Sequence, residues 1–327
     1  MKIDKQVIAK FKNAKILVVG DLILDKFIWG NVERISPEAP VPVVVQDRES
    51  FMPGGASNVA NNLASLEAKE VFMVGVIGSD SEGERLKMEL KKRGVNVSGL
   101  FLDTARPTTL KTRIVAGHQQ VVRLDKENTA PISKNTVRHI VDFAKKQIDK
   151  CDAVIIEDYG KGVICPDVLS PIISLAQEKK KVITVDPKEE NFQYYRGVTA
   201  ITPNLKEAFA ASGWKAKDDN EITKMGLEIL KRLNLTALLI TMGEKGMRLF
   251  ERKGAIHHID TVAQEVFDVS GAGDTVIAVF TLSLACGADF LSAAKIANIC
   301  AGIVVGKVGV ASVTKKELLT RLKDYHG

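Results

Sequence analysis

At 327 residues, 45% apolar and 26% charged, the chain has the composition of an ordinary folded protein, which excludes disordered and fibrous classes. Its formal charge of +6 is spread along helical stretches such as 87–93 and 145–150, so it reads as solvated faces rather than a nucleic-acid surface, and it suits an anionic small substrate. No apolar run reaches membrane-spanning length, no signal peptide opens the chain, and Cys151, Cys165, Cys286 and Cys300 lack paired spacing; a cytoplasmic protein with free thiols and no membrane or nucleic-acid partner is expected.

The first strand is expected at 16–20, a short apolar run ending at Gly20 and Asp21. Asp21 and Asp25 then stand where an open α/β sheet meets ligands, with turn chemistry as the equal alternative. From 27 to 52 the pattern changes: Pro37, Pro40 and Pro42 exclude a helix, and Val41, Val43, Val44 and Val45 favour extended chain. A second β-rich segment spans 108–125. The two are expected to pair as a small lid sheet or dimer surface, the plainer alternative being an edge hairpin. Between them, Gly54 and Gly55 introduce a helix with an apolar stripe of Ala56, Val59, Ala60, Leu63 and Ala64. The glycines let a ligand approach the backbone, and Asn58 in the first turn can hydrogen-bond a hydroxyl.

Beyond residue 70, strand-like runs at 71–77, 153–156, 182–185 and 237–241 alternate with helical ones at 82–93, 168–178 and 227–233. This is the pattern of a mainly parallel sheet covered by helices on both faces. Polar residues gather after the strands, at 157–162, 186–188, 203–207 and 241–246, on the edge where such sheets bind ligands. Last comes Asp268-Val269-Ser270-Gly271-Ala272-Gly273-Asp274, followed by the apolar run 275–286. Its small residues leave backbone N–H groups uncovered at a helix N-terminus, a site for an anion, and an ionised Asp274 there can take the proton of an attacking hydroxyl. The spacing is neither that of a P-loop nor that of a dinucleotide fingerprint. Alone, it reads first as a glycine-rich turn that admits a buried helix.

In this order and spacing, Gly54-Gly55-Ala56-Ser57-Asn58, Asn204-x-x-Glu207, Thr241-x-Gly243-x-x-Gly246 and Gly271-Ala272-Gly273-Asp274 resemble the ribokinase-like (PfkB) carbohydrate kinase family along essentially the whole chain. Longer segments, at 34–43, 119–125, 158–162 and 266–270, resemble the branch of that family that phosphorylates D-glycero-β-D-manno-heptose 7-phosphate in ADP-heptose and lipopolysaccharide-core synthesis. The resemblance implies a ribokinase-like three-layer α/β fold over 1–327 as a single kinase domain, with a mainly parallel central sheet and a small β lid. It also implies ATP and Mg²⁺ as cofactors, and transfer of phosphate to the anomeric hydroxyl to give heptose 1,7-bisphosphate and ADP.

On this resemblance, Asp274 deprotonates the sugar hydroxyl while the N–H groups of Gly271, Ala272 and Gly273 stabilise the transferring phosphoryl group. Asn204, Leu205, Lys206 and Glu207 would meet the nucleotide phosphates, with Glu207 holding Mg²⁺ through water. Thr241, Gly243 and Gly246 would line the phosphate and ribose side, and Asn298 and Gly302 the adenine side. Asp25, Gly54, Gly55 and Asn58 would hold sugar hydroxyls. Lys111, Arg113, Arg123, Lys161 and Lys188 are the candidates for the 7-phosphate, Arg123 and Lys161 foremost. Many family members carry Thr after the first Asp of the late motif; Val269 has no hydroxyl, which argues against carrying over the family's monovalent-cation site. Bifunctional relatives continue into a nucleotidyltransferase domain, so a chain ending at Gly327 is expected to be a stand-alone kinase. A homodimer through the lid is expected from the apolar 41–45 run. A kinase for another sugar or sugar phosphate, and a catalytically silent sensor on the same fold, are the alternatives.

Overall fold

Strand β1, Lys15–Gly20, sets the frame because both of its faces are apolar. In a computed structural model that describes residues 5–323 except 118, 215–217, 264 and 308, its alternating side chains enter two separate cores. Ile16 and Val18 face the helices Ala56–Ser65, Ala272–Ala285 and Phe290–Val304. Leu17 and Val19 face Lys134–Ile148, Pro166–Glu178 and Asp219–Arg232. The period-two pattern of a doubly buried strand thus produces three layers, helices on either side of one sheet.

The remaining strands are β2 (Leu22–Ile35), β3 (Pro42–Gly55), β4 (Glu70–Gly78), β5 (Asn96–Asp103), β6 (Thr109–Ala116), β7 (Gln119–Lys126), β8 (Ala153–Glu157), β9 (Val182–Asp186), β10 (Ala200–Ile201), β11 (Ala237–Thr241), β12 (Met247–Glu251) and β13 (Ile256–Ile259). Among the described residues, nine form a central sheet in the order β13-β12-β11-β10-β9-β8-β1-β4-β5. From β11 to β5 every neighbouring pair is parallel, and the hairpin β12–β13 closes one edge antiparallel. Helical crossovers leave the C-terminal ends of β1, β8, β9 and β11 along one edge, which is where the polar strand-end residues collect.

The other four strands form a second sheet, β3-β2-β6-β7. It starts earlier than the pattern at 27–52 implies. β2 begins at Leu22, two residues past β1, and its first half is buried while Asn31–Ile35 is exposed. One long strand therefore leaves the core and becomes the lid. The second expected segment is realised as β6 and β7, and β2 joins the two halves by pairing antiparallel with β3 and parallel with β6. Phe27, Val115 and Val310 make a small core beneath it, with Trp29 and Met52 packed alongside. β7 is exposed throughout. The helix expected at 227–233 extends back to Asp219, whose neighbour Asp218 caps it by accepting from Glu221 N. Among the described residues, no helix is long and apolar enough to cross a membrane.

Candidate active site

The helix Ala272–Ala285 is buried from Asp274 to Ser283, and its N-terminus opens at the sheet edge. Gly271 precedes it at φ +78°, and a Cβ there would run into Asn58 Nδ2, so only glycine lets the helix start this close to its neighbour. Asp274, in the first turn, is 3% exposed. Its Oδ2 accepts from Asn58 Nδ2 at 2.7 Å and its Oδ1 from the Tyr159 hydroxyl at 2.6 Å. Burial pushes its pKa up, and these two hydrogen bonds oppose the rise by favouring the charged form.

Two cavities meet at this point. One, about 560 Å³, is lined by Gly243, Gly246, Val276, Asn298, Gly302 and Val305, with Ala272 at its mouth. The other, about 350 Å³, is polar and holds Asp274, Tyr159, Lys111, Lys161, Lys188 and Glu207 among its walls. Thr241 and Gly273 line both. An apolar chamber opening past a helix N-terminus into a polar one fits a nucleoside whose phosphates reach the reacting groups.

Most of the nucleotide-side residues named from the sequence converge here. Asn204 and Glu207 line the polar cavity and also form a reciprocal cap: Asn204 Oδ1 accepts from Glu207 N and Glu207 Oε2 from Asn204 N, each at 2.9 Å. Asn298 lines the apolar chamber while its Nδ2 donates to Asp260 O at 2.7 Å. Leu205 and Lys206 do not join them: Leu205 packs on the second core, and Lys206 is exposed and lines neither cavity. Helix geometry turns them away, because residues one apart do not share a face.

On the sugar side, Asp25 is buried and ion-paired with Arg113, which opposes the upward push of burial on its pKa. A Cβ at Gly54 would collide with Asp25 Oδ2, so this glycine makes room for the protein's own carboxylate. Gly55, at φ +54°, makes the matching turn against Asp21 O. Asn58 has one N–H engaged by Asp274 and is itself steadied by Asn62, whose Nδ2 donates to Asn58 O at 3.0 Å. Asp21 serves turn chemistry: fully buried, it accepts the backbone N–H groups of Tyr159, Lys161 and Val163 at 2.9 to 3.0 Å. Burial and the nearby Asp158 raise its pKa to about 6, against those three hydrogen bonds.

The five cations divide. Lys111, Lys161 and Lys188 line the polar cavity, whereas Arg113 is engaged by Asp25 and the exposed Arg123 is held by Asp125 through two 2.9 Å hydrogen bonds. Lys161 and Lys188 carry their own partners, Glu127 at 2.8 Å and Glu189 at 3.2 Å. Lys111 has no ion pair among the described residues, and its ammonium lies 5.3 Å from the centroid of the Tyr159 ring. Burial lowers its pKa, helped by the positive charge of Lys161 and Arg123 and opposed by Asp25.

Three residues with no role assigned in the sequence complete the site: Tyr159, Glu157 and Asp186, visible there only as strand-end polar groups. Glu157, Asp186 and Asp274 each bring a carboxylate oxygen within 4.8 Å of the others. Burial pushes the pKa of Glu157 far up, and the acidic neighbours Asp186 and Asp274 add to the rise. Among the described residues neither carboxyl oxygen of Glu157 has a hydrogen-bond partner. Asp186 accepts from Thr202 Oγ1 at 2.9 Å, and burial together with the charge of Glu207 across the polar cavity pushes its pKa up. Asp186 and Glu207, two carboxylates on the wall of one polar cavity, fit a hydrated divalent cation.

A nine-stranded, mainly parallel sheet with helices on both faces and a four-stranded lid define the ribokinase-like fold. Residues 13–317 match the pfkB family carbohydrate kinases, and the chain belongs to that family; it is a sugar kinase. It is 46% identical over 98% of its length to the bifunctional protein HldE of Geobacter metallireducens, covering 66% of that protein. It is 44% identical over 94% of its length to the HldE of Helicobacter hepaticus, covering 64%. The chain thus spans about two thirds of the length of the curated relatives it matches. Among solved structures, Escherichia coli phosphofructokinase-2 aligns with a TM-score of 0.78 at 18% identity, covering 95% of this chain and 98% of that one. Arabidopsis thaliana ribokinase, solved with ribose and ATP, gives 0.74 at 17% identity, covering 95% and 99%. At such identities the likeness concerns the fold.

Proposed function

We propose that this chain transfers the terminal phosphoryl group of ATP to the anomeric hydroxyl of D-glycero-β-D-manno-heptose 7-phosphate, giving heptose 1,7-bisphosphate and ADP for ADP-heptose and lipopolysaccharide-core synthesis. The observation that carries the substrate class is the three lysines, Lys111, Lys161 and Lys188, in the same cavity as Asp274. The phosphates of ATP use part of this charge, and a sugar that brings its own phosphate gives the remainder a partner that a neutral sugar does not. Lys111 is the foremost of them, since its charge has no carboxylate bound to it among the described residues. The segments shared with the heptose-phosphate branch, and relatives that carry the HldE name, support this particular phosphosugar.

In this reading Asp274 takes the proton of the sugar hydroxyl as its oxygen attacks the terminal phosphorus, and the bond to ADP breaks. The backbone N–H groups of Gly271, Ala272 and Gly273 meet the charge on the phosphoryl oxygens. The apolar chamber excludes water from the nucleoside end. Glu207 would hold a Mg²⁺ ion through water, and the ion would neutralise part of the polyphosphate charge. The enzyme works in the cytoplasm, in keeping with four cysteines none of which is disulfide-bonded, and as a homodimer that covers the lid's exposed apolar face.

The test is ADP release by purified protein with ATP and Mg²⁺, comparing the heptose 7-phosphate with fructose 6-phosphate, ribose and no sugar. Strong preference for the heptose phosphate is expected. Equal or faster turnover of unphosphorylated ribose would overturn the phosphosugar reading, and turnover of fructose 6-phosphate alone would replace the substrate while keeping the mechanism.

A further inference from the structure

Among the described residues the base has two side-chain hydrogen-bond donors, one on each oxygen, and they come from different elements. Asn58 belongs to the helix Ala56–Ser65, which packs on the same core as Asp274. Tyr159 comes from the loop after β8, and three features hold it there. Its backbone N–H donates to Asp21 Oδ2 at 2.9 Å, and Asp21 ties down the next two turns of the same loop through Lys161 and Val163. The Lys111 ammonium, carried on lid strand β6, lies over its ring. Its hydroxyl is 2.6 Å from Asp274 Oδ1, a short, charge-assisted contact.

We propose that Tyr159 is a positioning residue of phosphoryl transfer: with Asn58 it fixes the rotation of the Asp274 carboxylate, so that a set lone pair faces the attacking sugar hydroxyl. The inference rests on the reading of Asp274 as the general base. A carboxylate accepting a single hydrogen bond can turn about its Cβ–Cγ bond, whereas one gripped at both oxygens cannot. Each oxygen keeps a second lone pair, so the grip leaves the base free to accept a proton. The phenol keeps its own proton throughout, because burial and the neighbouring carboxylates disfavour its ionised form. Tyr159 therefore acts as a fixed donor and takes no part in the proton's route from sugar to Asp274.

Nothing in the short 16–20 strand announces this role, yet Asp21 at its end is what delivers the loop. The chain of contacts runs from Asp21 to the Tyr159 backbone and from the Tyr159 hydroxyl to Asp274. Lys111 adds a link to the lid, so a cation placed to meet the substrate's phosphate also braces the residue that orients the base.

A double-mutant cycle on the full chain tests the proposal. Tyr159→Phe keeps the ring and its contact with Lys111 and removes only the hydroxyl. Its kcat is expected to fall about ten- to a hundred-fold, the worth of one charge-assisted hydrogen bond, with the KM for sugar and ATP within about two-fold of the parent. In an Asp274→Asn background, the same Tyr159→Phe change is expected to have no further effect on residual turnover, because the hydroxyl acts through the base. Melting temperature and calorimetric ATP binding of each variant report folding separately, and 3-fluorotyrosine at 159, which keeps the donor, is expected to restore turnover should Tyr159→Phe prove unstable. Additive losses, or a Tyr159→Phe enzyme with parental kcat, would overturn the positioning role. Full turnover by Asp274→Asn would instead overturn the reading of the base itself, so the two failures are distinguishable.

Discussion

At the scale of single residues, the site is a balance between burial and hydrogen bonding. Asp274 must be ionised to accept a proton, yet burial favours its neutral form. Its folded pKa lies above the ordinary carboxylate value, so the base form is lost on acidification earlier than for a free aspartate of about 3.9. The profile of kcat/KM against pH is therefore expected to fall on its acid side at a pH clearly above 4, and a flat profile down to that pH would contradict the assignment. The same shift has the opposite sign for stability: a raised carboxyl pKa adds stability at low pH that disappears as pH rises through the folded value. Activity and stability thus pull apart across that window. Gly54 shows how a motif residue can be read correctly in position and differently in purpose. Its missing Cβ is filled by the Asp25 carboxylate, a contact between residues 29 apart that local pattern does not reveal.

At the scale of elements, what was legible in the sequence was whatever depends on near neighbours. The apolar runs at 16–20, 153–156, 182–185 and 237–241 all became strands of the central sheet, and the late motif became a helix N-terminus. The start of β2 was not legible, because Leu22–Asp25 is buried in the core while Asn31–Ile35 is exposed for the lid, and two environments in one strand blur the alternation. Tyr159 and Asp21 were missed as a working pair for a related reason: their bond spans 138 positions. The Asn204 and Glu207 cap shows a short motif with two duties. Its loss is expected to be felt in stability first, because the helix it starts, Leu205–Ser212, has only 8 residues. Asn204→Ala should lower the urea midpoint by an amount equivalent to about 0.5–2 kcal/mol with an unchanged slope, whereas Asn204→Asp, which can still cap, should stay near the parent. Equal midpoints for the alanine variant and the parent would show that the cap is not what holds this helix.

At the scale of the whole molecule, the lid carries an apolar face without cover in a single chain. Ile35 is 61% exposed and Leu124 58%, and Val45, Val121 and Val122 of the same four-stranded sheet are exposed too, with Val41 exposed just before β3. The proposed homodimer would bury that face. Sedimentation velocity is expected to give a dimer for the parent and a monomer for Leu124→Glu; a monomeric parent at micromolar concentration would rule out the lid as a stable interface. The core beneath is indifferent to such a change, since β7 is exposed along its length.

Among the described residues the two cavities share Thr241 and Gly273 as common walls, and that junction sets a design rule for chemistry made to fit the site. A molecule that joins adenosine to a phosphorylated sugar through a bridge of phosphates would thread the junction and occupy both chambers at once. Linking turns the second binding event into an intramolecular one, so affinity should rise by about 10²- to 10⁴-fold over either half when the bridge spans the gap. Titrating bridges of increasing phosphate number by calorimetry should therefore show a sharp optimum, a molecular ruler for the distance over which the phosphoryl group travels. Affinity that rose smoothly with phosphate number, with no optimum, would mean that the chambers are filled independently.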